Sequence, residues 1–520
     1  MAVTSTGPEF AGDYKLRYIR IHNHKGEGLT NSTHGEDITS LVLELNIYES
    51  IFNNSVTGSM VIADTRNLIA NLPIQGTERV SFRLSSNISD ENPDNVIDCS
   101  ENSGHPMHVF AVTNKSQVND GMQSYTIHFA SREFVRNLRL KVSESFSGRM
   151  DEMINKIMFD REGLDSNKAL YYQKTRNQDK IVIPNLNPFS AINMIAKRSL
   201  ADSLKGESAG YLFYETTKGF HFRSWESLCE DKNGGLIDSK IRLQYTQQNV
   251  DTQDKQKNPG PHKEEDVLMK GYSAIRSYEF KSNIHDVAVN TAKGTYGHRV
   301  ITHNIYDKTY RKDDYHYHNS FNDTGHVGFM PSVVESPVDY DQIEGTPYQK
   351  GVSDYPEARV SLQATTRFAH GEDTGSYGTP VEDDGTLEGI RIAQKNKIEG
   401  GTKVEITVNG QSWLQAGDVI DFALQSIENR DNISGSKLDP QHSGRYIITD
   451  IRHRVAQERY IQVLTCIKDS VSNGYDAAGK SYAEIAGEPT VEGIYDIDEH
   501  TKTYETTPNQ SGAWYPGGTY

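Results

Sequence analysis

The chain has 520 residues, 35% of them apolar and 24% charged, and 54 bases against 71 acids give a formal net charge of −17. Such a length fits about three or four domains. The acidic balance argues against a basic groove for phosphate backbones and against a polybasic membrane anchor.

No apolar run approaches the roughly 18 residues of a membrane helix. The polar stretch Met1–Lys15 has no hydrophobic core, so no signal peptide is expected. Cys99, Cys229 and Cys466 lie far apart with no CxxC, which supports neither a zinc knuckle nor a disulfide framework. Synthesis in a reducing cytoplasm fits them.

In chain order, residues 1–13 read as an N-terminal arm and 14–130 as strands. Leu41–Tyr48, Ser59–Ile62, Arg79–Leu84 and Tyr125–Phe129 alternate apolar and polar residues, which buries one face of each strand. Asn53-Asn54, Gly58 and Pro73–Gly76 supply the turns between them. Closely spaced antiparallel strands suggest a small barrel or sandwich.

The period changes over 131–228. Ser147 is expected to cap a helix over 148–159, and Asn187-Pro188 to open another carrying Phe189, Ile192, Ile195 and Ala196. Gly210–Glu215 and Gly219–Arg223 make a hairpin around Thr216-Thr217-Lys218. Strands near 269–281 interrupt the stretch 229–290. Residues 240–260 and 305–384 read mainly as polar loop, which makes 291–384 a loop-rich insertion. A helix over 386–397 leads into a second all-β unit, 385–472, built from Val404–Val408, Val419–Phe422, Gly444–Ile448 and Tyr460–Cys466. The two β units share a strand-and-turn pattern and no sequence repeat. Residues 473–520 form a C-terminal arm.

The charge is concentrated. Segment 331–384 holds eleven acids against three bases, net −8, and 476–520 holds eight against two, net −6. The remainder carries only −3, so the expected folded bodies are nearly neutral.

Few motifs carry chemistry. Gly474–Ser481 matches the phosphate-cradling G-x-x-x-x-G-K-[ST] pattern. That loop must join a buried strand to a helix inside an α/β domain, and only 39 residues follow Ser481. A chance match is the better reading. His316 and His318, two residues apart with His298, His303 and His326 near in sequence, would share one face of a strand and could hold a metal. Solvated or interface histidines explain them more simply. Asp383-Asp384 and Glu264-Glu265 sit in charge-rich loops, where solvation is the common reason. The aromatic residues Tyr495, Tyr504, Trp514, Tyr515 and Tyr520 punctuate the acidic arm, either as a disordered end or as anchors for a partner. No catalytic, cofactor or metal residue is nominated, and no enzyme activity is expected.

Several pieces, in order, resemble a known family. They are Leu45–Ile51, Val56–Asp64, Leu72–Glu78, Lys141–Gly148, Ile183–Asn193 and Gly210–Thr217, then Ala416–Ile420 and Ser443–Asp450. The series is similar to the baseplate central hub subunit of contractile-tailed, T-even-like bacteriophages, over about 40–230 and 385–470. The resemblance implies a mainly β fold with α+β insertions: two tube-type β-barrel domains (14–130 and 385–472), a mixed helix/hairpin domain (131–228) and long loops. Domains interleave in this family, so 229–290 is expected to pack with the second barrel.

The resemblance further implies a homotrimer whose six barrels form a pseudo-sixfold ring. The ring would adapt the sixfold tail tube to a trimeric spike, meet baseplate wedge or other baseplate proteins and leave a channel for DNA. The protein would be assembled in the host cytoplasm and reside in the virion tail, with no specific nucleic-acid binding and no membrane embedding. Two alternatives stand beside it: the hub of a bacterial contractile injection system, and a tail-associated carbohydrate-binding protein or hydrolase.

Overall fold

The computed structural model describes residues 11–23, 35–71, 74–86, 95–202, 208–230, 235–245, 270–281, 286–304, 308, 310–333, 351–365, 384–425, 438–439, 441–456, 459–471 and 513–514. Among them, six principal strands make the N-terminal body, with the short strands Glu36–Asp37 and Val96–Cys99 added at its edges: β1 (Tyr14–His22), β2 (Val42–Ser50), β3 (Thr57–Asp64), β4 (Arg79–Ser86), β5 (Met107–Asn119) and β6 (Met122–Ala130). Their hydrogen-bonded order is β1-β4-β5-β6-β3-β2, antiparallel throughout. The sheet curls because its alternating apolar residues, among them Ile19, Ile21, Met60, Ile62, Phe82, Tyr125 and Phe129, face one core. The seam between β1 and β2 is bridged by the turn ahead of β2. There the Ile38 amide donates to the Ile19 carbonyl (2.9 Å) and the Ile19 amide to Thr39 Oγ1 (2.8 Å).

Gly58, expected in a turn, instead lies within β3, paired with Ile47 and Phe129, and is required there by packing. A Cβ there would lie 2.7 Å from the Asn46 carbonyl and inside the ring of buried Phe129. Gly58→Ala is expected to cost about 2 kcal/mol in urea unfolding, the scale of an overpacked core.

The middle of the chain alternates helices and short strands: α1 (Arg132–Arg139), β7 (Ser145–Arg149), α2 (Met150–Phe159), β8 (Leu170–Tyr172), β9 (Gln178–Val182), α3 (Pro188–Ala196), β10 (Tyr211–Thr216), β11 (Gly219–Ser224) and α4 (Trp225–Cys229). β10 and β11 form the expected hairpin, and β8 pairs with β11 in parallel. Helix α2 starts two residues later than the sequence suggested. Ser147 lies in β7, paired with Lys180, and Gly148 at φ +126° turns the chain before the helix begins. Asn187 does precede α3, but its side chain turns away to the Asn137 carbonyl. Asn137 Oδ1 accepts from the Phe189 amide (2.8 Å) and so caps the helix from 52 residues upstream.

The second β body draws strands from both sides of a long insertion: β12 (Arg242–Tyr245), β13 (Ala274–Phe280), β17 (Thr402–Asn409), β18 (Val419–Ala423), β19 (Gly444–Ala456) and β20 (Arg459–Lys468). They close completely in the order β19-β18-β12-β13-β17-β20 and back to β19. β12 runs parallel to both neighbours. The interior holds Leu243, Val404, Ile406, Ile420, Phe422, Tyr446 and Leu464.

Between β13 and β17 lies a three-stranded sheet of β14 (Gly297–Asn304), β15 (Tyr310–His316) and β16 (Val360–Thr365), against the helix α5 (Asp384–Gly400). The sequence suggested polar loop over 305–384, and β15 and β16 correct that expectation. β15 hides its strand character because Arg311-Lys312-Asp313-Asp314 is charged on both faces. Ion pairs of Arg299 with Asp314 and with Glu357 (2.9 Å) supply the cross-strand attraction instead.

The two β bodies share one backbone ladder. β19 is 13 residues long, and its C-terminal half pairs antiparallel with β2, from Asp450 opposite Ser50 to Ala456 opposite Glu44.

Candidate functional site

The structure gathers buried charge where the N-terminal body, the middle segment and the second barrel meet. An apolar cluster marks the place: Ile51 after β2, Tyr214 and Trp225 of the middle segment, and Ala416, Val419 and Ile447 of the second barrel. Glu49 sits beside it, at the next inward position of β2 after Leu45 and Ile47. One carboxylate oxygen accepts from the Thr217 amide (2.8 Å) and the other from the Ala416 amide (3.1 Å). A single side chain thus holds strand, hairpin turn and barrel loop together. His453 Nε2 is 3.8 Å from it, and His453 Nδ1 meets Tyr460 Oη at 2.7 Å. Burial pushes the Glu49 carboxyl up and the His453 imidazole down to about 3. Glu49→Ala strands two buried amides. It is expected to cost about 3 kcal/mol in equilibrium unfolding, with Glu49→Gln intermediate because only one of its atoms accepts.

A second cluster lies alongside. Lys168 Nζ pairs with Glu215 and lies 3.5 Å from Glu133; the side chains are 13%, 0% and 2% exposed. Glu215 Oε2 accepts from the Val56 amide (2.8 Å), the residue ahead of β3, and Glu133 Oε1 accepts from Ser166 (2.7 Å). Burial pushes Glu215 up. Burial works the same way on Glu133, but the Lys168 charge and the Ser166 hydroxyl hold it below the ordinary value. A cavity of about 30 Å³, room for a water or two, is lined by Cys99, His105, Lys168, Glu215 and Lys218 among others. Burial raises the Cys99 thiol to about 12, which leaves it unreactive.

A third cluster ties α5 to the second barrel. Asp469 Oδ2 meets His326 Nδ1 (2.9 Å), His326 Nε2 meets Thr324 Oγ1 (3.0 Å), and Lys397 Nζ donates to Thr324 Oγ1 (2.8 Å). Burial would raise Asp469, but the charge and hydrogen bond of His326 pull it down to about 2. Carboxylate, imidazole and hydroxyl stand in the order of an activated nucleophile. So do Glu101, His22 and Ser81, at 3.4 and 3.1 Å. Ser81 is 2% exposed, which keeps a substrate from its hydroxyl; Thr324 is half-buried, and its oxygen is engaged by both His326 and Lys397. These are locks between elements.

The candidates read from the sequence scatter. His316 meets Asp354 (2.9 Å), His318 meets Ser353 Oγ (2.6 Å), and His298 packs between the Gly294 and Gly389 carbonyls. His326 alone joins a cluster. No group of three or more metal-ligating side chains occurs among the described residues. Gly474–Ser481, Glu264-Glu265 and Asp383 lie outside the described residues, as does most of both acidic segments; Asp384 begins α5.

The resemblance read from the sequence is met by comparison with known proteins. The chain is 20% identical over 438 residues to the probable baseplate hub protein gp334 of Vibrio phage KVP40, covering 83% of this chain and 90% of that protein. No family model matches. Solved structures that align with it include the 43 kDa tail protein of prophage MuSo2 from Shewanella oneidensis (TM-score 0.46, 8% identity, 88% of this chain and 99% of that one). Another is the tail protein from Neisseria meningitidis MC58 (TM-score 0.44, 9% identity, 88% and 97%). A third is the E. coli c3393 protein, a component of the type VI secretion system (TM-score 0.36, 7% identity, 83% and 76%).

Proposed function

We propose that this chain is the structural hub subunit of a contractile phage tail baseplate, and that three copies form a ring of six β bodies. The ring joins a sixfold tail tube to a trimeric spike and leaves a channel through which DNA passes. The observation that carries the reading is the sequence likeness to a phage baseplate hub protein along nearly the whole of both chains. That relative favours the phage over a bacterial injection system.

The geometry supports the reading in two ways. Two β bodies per chain, times three chains, supply six positions. The β2–β19 ladder and the Glu49 clamp hold the two bodies of one chain at a fixed angle, as a ring under load requires. The near-neutral remainder of the chain, outside the two acidic segments, is suited to a wall that DNA slides past without being gripped. The chain's role on this reading is structural, in the virion tail, and the three clusters of buried charge are stays, not catalysts.

Native mass measurement of the purified chain, alone and with its spike protein, tests the proposal. A trimer is expected. A stable monomer in every assembled context overturns it.

A further inference from the structure

The strand β8 is three residues long and has one edge on β11. Its other edge is taken by Ala513–Trp514, with Leu170 opposite Trp514 and Tyr171 opposite Ala513 in an antiparallel ladder. The segment that completes this sheet therefore comes from more than 340 residues downstream. Residues 472–512 separate it from Val471, a span of 41.

Charge says why the arm comes here. Leaving aside Lys168, whose charge is taken up by Glu133 and Glu215, the stretch 169–198 around β8 carries five bases (Lys174, Arg176, Lys180, Lys197 and Arg198) against one acid, Asp179, net +4. The arm 476–520 carries −6. An acidic arm is drawn to a basic stretch and adds a strand to its open edge, the usual way an extended segment docks on a sheet.

We infer that in the assembled protein this strand is exchanged, each copy's C-terminal arm completing the β8 edge of a neighbouring copy. The inference rests on the trimeric hub reading. The ladder is the same whichever copy supplies the strand, so exchange sacrifices no contact. Forty-one residues reach about 140 Å when extended and about 35 Å as a flexible coil, so a neighbour's edge in a ring lies within range. A ladder of two residue pairs holds the arm only weakly to its own edge, so the edge stays open to a neighbour's arm. Passed between copies, the same short ladder acts three times at once and gains from multivalency. The exchange also covers an edge strand that would otherwise template unwanted pairing.

An equal mixture of unlabelled and 15N-labelled wild-type chains, assembled together and treated with a zero-length lysine–carboxylate cross-linker, tests it. Peptides joining the 476–520 arm to Lys174 or Lys180 are expected to carry one light and one heavy partner in about half of the pairs. Ala513→Pro combined with Trp514→Pro, which leaves the arm no backbone N–H to donate at the ladder, is expected to weaken trimer association at least tenfold. A trimer whose arm cross-links are all of one isotope, or whose arm never links to 169–198, overturns the exchange and leaves the hub reading intact. A chain that stays monomeric in every context overturns both.

Discussion

Lowering the pH from 7 to 4 is expected to remove about 6 kcal/mol of stability through two buried imidazoles. His221 lies between the rings of Tyr171 and Tyr214, at 5.1 and 4.9 Å, and His453 behind Glu49 meets Tyr460 Oη. Burial holds each down at about 3, with Arg223 adding to the effect on His221 and Lys218 to that on His453. The unfolded chain takes up protons near 6.5 and the folded chain does not. The contribution is therefore complete above 6.5 and is lost as pH falls through the window toward 3. At pH 4 about 2.5 units separate the medium from the unfolded value, or about 3 kcal/mol per imidazole. Glu49 works the opposite way: its raised carboxyl favours folding below 4.5 and loses that favour as pH rises, so it softens the slope. Urea unfolding at pH 7, 5.5 and 4 reads the effect, and His221→Phe should remove about half of it. Equal stability at pH 7 and pH 4 would show that the imidazoles are accessible to protons in the folded state.

Replacing Lys168 by methionine should cost about 4 kcal/mol. Its charge lies between Glu133 and Glu215, both fully enclosed, and no other cation is paired with either carboxylate among the described residues. Removing one partner of a buried ionic group leaves uncompensated charge, which is far costlier than replacing the whole group with apolar residues. Lys168→Met combined with Glu215→Gln should therefore recover about half of the loss. A single variant within about 1 kcal/mol of the parent chain in urea midpoint and slope would mean that water already solvates the carboxylates.

How much of this was legible in the sequence depends on the range of the forces involved. β2, β3, β4 and β6 announced themselves because each buries one face, and alternation is a local signal. The hairpin of β10 and β11 was equally plain, since Thr217-Lys218 and Gly219 at φ +152° supply the turn. β15 was not, because ion pairs stand where an apolar face would be. β16 was not, because Val360 and Leu362 point outward. The cap of α3 was placed correctly and attributed to the wrong residue, since Asn137 reaches the helix only once the chain has folded.

The charged clusters were beyond reach for the same reason. Glu49 bonds to residues 168 and 367 positions away, and His326 to one 143 positions away. One signal did exist: Glu49 continues the inward series Leu45, Ile47. A carboxylate at the end of an apolar alternation asks for buried donors.

The ladder between β2 and β19 has a consequence for biosynthesis. β2 leaves the ribosome early, but the strand that covers its edge begins pairing at Asp450, roughly 400 residues later. At about 5–20 residues per second that is a wait of roughly 20 to 80 s. Through that interval the N-terminal body holds an open backbone edge flanked by Leu43 and Tyr48, which remain solvent-facing in the finished fold. The nascent chain is thus most exposed to wrong pairing, and most in need of a chaperone, at the seam that later gives the finished molecule its stiffness.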